Sequence, residues 1–243
     1  MGCQIHCLNT QLLYKNINTK NSSSYFPFQQ SYKLHKNTIL SSYNNLNDQQ
    51  LTSTATKTQT DYYNVKFKTL GACKLGISMY PDFEYNAEGG IGSGTATKIS
   101  DTDEFFPVDF DEKSLYIPPL STSTTKFLGL PLPPFLKIEI FPEVFHGKIN
   151  RESGQVDLKF RAKFSFSVGS IYQAPPLLVE TVLTSEESKG KIRRGKGERL
   201  NKDGICRLVG VATIEPINDF FMNTFLSLPT ECLADLNAEI CFQ

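Results

Sequence analysis

Residues 155–168, QVDLKFRAKFSFSV, decide the fold class of this chain. Apolar and polar residues alternate across the whole stretch, and the apolar ones are Val156, Leu158, Phe160, Ala162, Phe164, Phe166 and Val168. A period of two cannot give a helix an apolar side, but it gives a strand one apolar face and one polar face. The stretch therefore predicts a long strand in a largely antiparallel, water-facing β protein.

A second strand pattern, residues 137–149, precedes this stretch and is separated from it by NRESG, residues 150–154. Turn-forming residues ending in glycine between two strand patterns predict a hairpin. Within it, the residues expected to face inward, and to line any apolar ligand, are Ile138, Ile140, Phe160, Phe164 and Phe166. Those expected to face water are Lys159, Arg161 and Lys163.

Other strands and one helix are predicted along the chain. The strands cover 62–70, 73–79, 177–184, 205–215 and 236–242, and a short helix covers 218–226 with Asn218 as its N-cap. We therefore expect an all-β fold, a mostly antiparallel barrel or strongly curved sheet of about 8–10 strands. A two-layer β-sandwich is the alternative.

The first 60 residues differ in composition from the rest. Half of them are Ser, Thr, Asn or Gln, and they include five lysines, no arginine and one acid, Asp48. A hydroxyl-rich, acid-poor, basic segment is typical of organelle import peptides, and the lack of arginine favours a plastid. We expect 1–60 to be a disordered transit peptide cleaved within 45–62, with a plain disordered tail as the alternative.

Residues 61–243 are predicted to form a single β domain. Of the 25 basic and 25 acidic residues in the chain, 20 basic and 24 acidic ones lie in this part, so it is mildly acidic. No apolar run approaches the length of a membrane-spanning helix, and no transmembrane segment is expected. His6 stands where a myristoylation signal needs Ser or Thr, which argues against that lipid anchor.

Two stretches resemble binding motifs without matching them. EGGIGSGTATKI, 88–99, lacks the Lys-Ser/Thr pair that follows the last glycine of a phosphate-binding loop, so its small residues predict a β-bulge or a close approach of another backbone. DTDEFFPVDFDE, 101–112, is acidic but lacks the glycine turn of a calcium loop, and we expect an exposed, partly stranded loop. Neither metal nor cofactor is predicted.

Two further segments are candidate contact surfaces. GLPLPPFL, 129–136, predicts an extended apolar connector that covers the core or docks a protein partner. The segment 188–199 holds six basic residues, Lys189, Lys191, Arg193, Arg194, Lys196 and Arg199. A solvated loop or edge strand is the first interpretation, and contact with an anionic surface is the second. Nucleic-acid binding is not expected, because no stacking motif accompanies the cluster.

Groups for catalysis are sparse. His146 is the one histidine after residue 60, and no G-x-S-x-G elbow occurs. Carboxylates or tyrosines that meet only in the fold remain candidates for acid–base chemistry. Cys73, Cys206, Cys232 and Cys241 form no C-x-x-C pair and predict buried free thiols; a regulatory disulfide, with Cys232 and Cys241 the nearest pair, is the alternative.

Long segments carry a family resemblance: FKTLGACKLGISMYPDFEYNAEGGIGSGTATK, SLYIPPL with TTKFLGLPLPPFLKIEI, and PPLLVETVLTSEESKG through FFMNTFLSLPTECLADLNA. In these, the chain from about Val65 to Phe242 resembles nucleus-encoded plant proteins, with relatives in cyanobacteria, that are directed to the chloroplast. The resemblance implies a location in the stroma or peripherally on the thylakoid or envelope. It implies no reaction, ligand or site residue.

Three classes of function fit this sequence. The first is a barrel whose phenylalanine-rich interior binds a lipid, pigment or other apolar molecule. The second is a protein that assists assembly of a photosynthetic complex, and the third is a small barrel enzyme such as an isomerase. A cavity of about 300 Å³ or more would favour binding or catalysis. We expect a non-enzymatic role at or near a plastid membrane.

Overall fold

The computed structural model of the chain describes residues 61–98 and 104–243. The predicted leader, 1–60, lies outside the described residues. A short 3-10 helix occupies Glu112–Ser114, and one α-helix, α1, occupies Phe220–Leu226. The strands are β1 (Asp61–Thr69), β2 (Cys73–Ile77), β3 (Phe83–Tyr85), β4 (Ile91–Lys98), β5 (Phe105–Phe110), β6 (Thr125–Phe127), β7 (Leu130–Pro131), β8 (Leu136–Asn150), β9 (Val156–Val168), β10 (Tyr172–Gln173), β11 (Leu177–Thr184), β12 (Glu187–Lys189), β13 (Arg194–Lys196), β14 (Ile205–Ile214) and β15 (Thr230–Phe242).

Thirteen of these strands form one antiparallel sheet that closes into a barrel. The wall consists of β1, β4, β5, β8, β9, β11, β14 and β15 in that order, and β15 pairs again with β1. These strands follow one another along the chain, as in an up-and-down barrel. The predicted all-β barrel or strongly curved sheet is therefore confirmed, and the alternative sandwich is not formed.

The ring is weakest between β11 and β14. These strands pair at one position, Thr184 with Val209. Farther along, the Thr181 hydroxyl donates a hydrogen bond of 2.9 Å to the carbonyl oxygen of Val211. The Thr181 side chain thus replaces part of the backbone hydrogen bonding between β11 and β14.

β8 and β9 form the predicted hairpin. They pair along their length apart from an irregularity after Pro142. In the turn, the side-chain oxygen of Asn150 accepts hydrogen bonds from the N–H groups of Glu152 and Ser153, at 3.0 and 2.9 Å. Gly154 has a φ of +74°, which favours glycine. Local turn chemistry therefore fixes the register that points the phenylalanines of β9 inward.

Phenylalanine rings pack against one another inside the barrel. The ring of Phe145 lies 4.9 Å from that of Phe67 and 4.7 Å from that of Phe110, centroid to centroid. All three side chains are buried. Contacts of this kind add to the energy of burial itself, so this level of the interior is a packed core.

Arg151, in the β8–β9 turn, covers the end of the barrel at which that turn lies. Its guanidinium lies 4.8 Å from the ring centroid of Phe242, and 5.8 and 5.7 Å from those of Tyr63 and Phe106. The cation is attracted to the ring faces while its outer side stays in water. This end is closed by an arginine over three rings.

Short strands extend the sheet at the other end. β15 pairs with β1 over Ala238–Phe242 and with β2 over Cys232–Asp235. β3 pairs with β2, β6 with β3 and β7 with β6. Segments of two to five residues are too short to show a sequence period, which is why most of them were not predicted.

Three predictions on the strands and helix need correction. Residues 101–112 were predicted as an exposed, partly stranded loop, but the stranded part, 105–110, is a wall strand that buries Phe106, Val108 and Phe110. The last strand begins at Thr230, six residues before the predicted start. The N-cap of α1 is Asp219 rather than Asn218, because the Asp219 carboxylate accepts a hydrogen bond from the N–H of Met222 at 2.8 Å.

No helix within the described residues is long and apolar enough to cross a membrane.

Candidate functional site

The two ends of the barrel are built differently. α1 connects β14 to β15, and because neighbouring strands run in opposite directions, the β2–β3, β6–β7 and β9–β10 turns lie at the same end. The connector 129–136 reaches this end too, where the N–H of Gly169 donates to the carbonyl oxygen of Phe135 at 2.9 Å. We call it the helix end.

Large apolar side chains are exposed around the helix end, on five separate segments. They are Met79, Leu128, Leu130, Phe135, Ile171, Phe220, Phe221 and Phe225, which we call the apolar rim. Their exposed fractions run from 45% for Phe225 to 91% for Ile171. Scattered exposed apolar residues are normal, but a cluster at one end of a molecule marks an interaction surface.

The connector has two roles in this arrangement. Leu132 is buried against the main core, as expected of a segment that covers it. Leu130 and Phe135 are exposed on either side of it, at 70% and 79%. The connector thus anchors itself with one leucine and presents two apolar side chains to solvent.

α1 is anchored by one face and exposed on the other. Met222 and Leu226, four residues apart, are buried. On the outer side, the rings of Phe221 and Phe225 stack at 5.6 Å with an interplanar angle of 4°. Tyr172 of β10 contacts Phe221 edge to face at 5.5 Å. The exposed rings are therefore held in place by neighbouring aromatic side chains.

The predicted basic segment is a hairpin of β12 and β13 that lies on the outside of the barrel. The hydroxyl of Ser188 accepts a hydrogen bond from the N–H of Val211 at 3.0 Å. A Cβ atom at Gly195, opposite Ser188, would lie 3.0 Å from the side chain of Leu233. Ser188 and Gly195 therefore face the barrel, and the residues next to them face water.

Positive charge is concentrated on the outward face of this basic hairpin, Glu187–Lys196. Lys189 and Arg194 lie directly opposite each other, and both are exposed. Lys191 is exposed at the tip. Within the described residues no salt bridge forms at these three positions. Like charges directly opposite one another destabilise a pair of strands, so an external anion would relieve this arrangement.

Two of the six predicted contact residues form salt bridges with carboxylates of the same chain. The Arg193 side chain is 14% exposed; its guanidinium pairs with Asp82 at 2.6 Å and donates to carbonyl oxygens in 77–80. Arg199 pairs with Glu186 at 2.6 Å. Arg193 is thus held largely inside the fold, whereas Arg199 lies in an exposed surface pair; Lys189, Lys191, Arg194 and Lys196 form no salt bridge within the described residues.

Glu231 anchors the tip of the basic hairpin from below. Its carboxylate accepts hydrogen bonds from the N–H groups of Lys191, Ile192 and Arg193, at 2.6, 2.7 and 2.8 Å. These bonds favour the charged carboxylate and lower the pKa of Glu231. The tip is fixed by its backbone, which leaves the side chains of Lys191 and Ile192 to point outward.

The basic hairpin and the apolar rim are continuous through the β2–β3 turn. Arg193 binds this turn from the hairpin side. Tyr80, in the same turn, contacts α1: its ring lies 5.9 Å from that of Phe225, and its hydroxyl donates to the Phe225 carbonyl oxygen. One surface therefore carries exposed apolar side chains next to exposed cations.

The five residues predicted to line an apolar ligand all face the interior. Phe160 and Phe166 are buried. Ile138, Ile140 and Phe164 are half-buried, although they pack against the core. The alternation in the sequence sufficed to place these side chains inside, but it could not tell which of them water reaches.

Within the described residues, few side chains suited to catalysis lie close to one another. No group of three His, Cys, Asp or Glu residues in this part of the chain could hold a metal ion. His146 is exposed on the wall, beside Lys159 across the hairpin. The inner Tyr85 donates its hydroxyl hydrogen to the carbonyl oxygen of Pro118. Burial raises the pKa of Tyr85, which works against its acting as a base at neutral pH.

The four cysteines after residue 60 are free thiols. Burial raises the pKa of Cys206 to about 12 and that of Cys232 to about 11, which disfavours the reactive thiolate. Cys232 and Cys241 lie nine residues apart on β15 and so on opposite faces. The alternative of a disulfide between those two is therefore excluded by the geometry of the strand.

Comparisons with protein-family models, with curated proteins and with solved structures find no match to this chain.

Proposed function

We propose that this protein is a non-enzymatic plastid protein that docks reversibly on an anionic membrane surface through the helix end of its barrel. Its place would be the stroma, or the periphery of the thylakoid or envelope. The observation that carries the proposal is the apolar rim, next to a basic hairpin whose outward cations form no salt bridge within the described residues.

The energies of such contacts suit reversible docking. Full burial of one large apolar side chain contributes about 1.5–3 kcal/mol, and shallow insertion contributes a fraction of that. Each lysine or arginine near an anionic surface adds about 1 kcal/mol, which is lost as salt screens the charge. A few rim residues with Lys191 and Arg194 would hold the barrel on a membrane without any spanning segment.

At the membrane the protein would either bind an apolar small molecule or assist assembly of a photosynthetic complex. The exposed side chains of connector 129–136 suit a protein partner as well as a lipid surface. The enzymatic alternative has weaker support: apart from Asp61, which is exposed at the start of β1, the positions that alternate onto the inner face of the described strands carry no carboxylate. An isomerase would need an acid–base group there.

Vesicle sedimentation tests the docking. The full chain should pellet with vesicles containing phosphatidylglycerol at low salt and be released at high salt. The pair Phe135→Ser/Phe220→Ser should weaken binding at least tenfold, since it removes two exposed rim side chains. The matched control is Leu178→Ser/Val182→Ser, which removes two half-exposed side chains from the outer face of β11 and should leave binding unchanged.

Charge is tested in the same assay. Lys191→Ser/Arg194→Ser should weaken binding and flatten its salt dependence. Lys113→Ser/Lys202→Ser removes two exposed lysines outside the hairpin and should not. Every variant carries the same basic residues 1–60, so any binding by that segment cancels in the comparison. Equal binding by the rim variant and its control would refute the proposal.

A further inference from the structure

The described part of the chain holds six residues with a sulfur atom, and one of them is far more exposed than the rest. Met222, on the anchored face of α1, is 1% exposed, and the four cysteines are buried or half-buried. Met79, in the β2–β3 turn, is 80% exposed. Burial also raises the pKa of Cys206 and Cys232, which keeps these thiols in their less reactive protonated form. An oxidant in solution therefore reaches the thioether of Met79 most readily.

The β2–β3 turn is held by its backbone on both sides of Met79. The guanidinium of Arg193 donates to the carbonyl oxygen of Ser78 at 2.9 Å and also to that of Tyr80. The N–H of Ser78 donates to the carbonyl oxygen of Glu231 at 2.8 Å. Because these bonds fix the main chain before and after Met79, the exposure of its side chain is set by the fold.

Met79 lies where the apolar rim meets the basic hairpin. Its neighbour Tyr80 contacts Phe225 of the rim, and Arg193 joins the same turn to the hairpin. A thioether at this position is an apolar group that the proposed docking would bury in the membrane surface. Oxidation converts it into a sulfoxide, whose polar S=O group costs free energy in an apolar environment. The same side chain thus favours docking in its reduced form and opposes it in its oxidised form.

We propose that Met79 is an oxidation site through which hydrogen peroxide reverses the docking of this protein on a membrane. A lone pair of the thioether sulfur attacks one peroxide oxygen, the O–O bond breaks, and a proton passes from the oxygen on sulfur to the departing hydroxide. The sulfur is thereby oxidised to the sulfoxide, and the peroxide is reduced to water. Methionine sulfoxide reductases reverse the change by oxidising thiols to a disulfide, with release of the oxygen as water. The inference rests on the proposed docking and adds a chemical control of the same surface.

Peptide mass spectrometry after brief exposure of the full chain to hydrogen peroxide tests the site. The tryptic peptide 75–98, in which Met79 is the one methionine, should gain an oxygen atom well before Met222 does in the peptide 208–243. Vesicles containing phosphatidylglycerol should slow the gain at Met79, because a docked membrane covers the sulfur atom. Oxidation of Met222 as fast as Met79, or no slowing by vesicles that bind the protein, would overturn the inference.

Vesicle sedimentation after removal of the peroxide tests the consequence for docking. Oxidation should weaken binding of the unmodified chain roughly fivefold, the cost of placing one polar group in a partly apolar environment. Treatment with both classes of sulfoxide reductase, one for each sulfoxide epimer, should restore the binding. Met79→Leu, whatever its affinity before treatment, should show no change with peroxide, and Met79→Gln should bind less tightly than Met79→Leu without any peroxide.

The leucine variant also accounts for oxidation at other positions, because Met1 and the cysteines are the same in both chains. An equal loss of binding by peroxide-treated Met79→Leu, or unchanged binding by the oxidised unmodified chain, would overturn the inference and leave the docking proposal intact. If the reduced, unmodified chain does not bind vesicles at all, the docking proposal fails, and the control of docking fails with it.

Discussion

The hydroxyl group of Tyr80 donates a hydrogen bond of 2.7 Å to the backbone carbonyl oxygen of Phe225. This bond ties the β2–β3 turn to the last turn of α1, where carbonyl groups lack partners within the helix. It also joins the two halves of the proposed docking surface, since Arg193 binds the same turn from the basic hairpin.

Removing this hydroxyl should loosen α1 without changing its aromatic contact. Tyr80→Phe should lower the free energy of unfolding by about 0.5–1 kcal/mol, the net value of one hydrogen bond. Hydrogen exchange of the α1 amides should accelerate by more than that of β14 and β15. Tyr62→Phe, which changes an exposed tyrosine of β1, is the control and should have no effect.

The correction of the N-cap gives a second prediction. Asp219→Ala removes the carboxylate that accepts from Met222 N–H and should cost about 1 kcal/mol of stability in urea unfolding. Asn218→Ala should cost little, because Asn218 is exposed and outside the helix. The opposite order of the two variants would restore the N-cap predicted from the sequence.

The parts of the fold that could be predicted from the sequence are those that depend on neighbouring residues in the chain. The alternation of 155–168 and the turn at 150–154 were enough for the hairpin and its inward phenylalanines, because both depend on neighbouring residues. The burial of strand β5 was missed because Pro107 and the carboxylates in and around the strand are typical of exposed loops, while its burial depends on neighbours far along the chain.

The candidate site was less accessible to sequence reasoning for the same reason. The connector and the basic segment were recognised, but their meeting at one end depends on the β2–β3 turn, which carried no signal. The internal role of Arg193 was equally hidden, since Asp82 lies 111 residues away. Only the folded structure distinguishes Arg193, which pairs with Asp82, from the exposed Arg194 next to it in the basic segment.

The Glu231 carboxylate makes the attachment of the basic hairpin dependent on pH. Its pKa is lowered in the folded protein by three backbone N–H donors, so folding favours the charged form. This stabilisation is present above the ordinary pKa of 4.5 and is lost as the pH falls through the lower folded value. Glu231→Gln should therefore be less stable than the unmodified chain at pH 7, with a difference that shrinks below about pH 4.5.

Thermal unfolding between pH 3 and pH 8 measures this difference. Other carboxylates, such as Glu143 and Glu180, also have a lowered pKa, but they titrate equally in both proteins and cancel. Glu215→Gln, at an exposed site, is the matched control. A difference that stays constant over the whole range would mean that the charge of Glu231 contributes nothing and only its shape matters.

Arg193 and Arg194, adjacent in sequence, should respond oppositely in stability and docking. Arg193→Ser breaks the pair with Asp82 and several bonds to carbonyl oxygens, and should cost about 2–3 kcal/mol in the free energy of unfolding. Arg194→Ser removes an exposed side chain and should change stability by less than about 0.5 kcal/mol.

On anionic vesicles, Arg194→Ser should release the protein at lower salt. Arg193→Ser, measured where it is still folded, should lose binding only in proportion to any displacement of the hairpin tip. If the two serine variants were equally stable and equally impaired on vesicles, both arginines would be surface contacts, and the internal role assigned to Arg193 would be wrong.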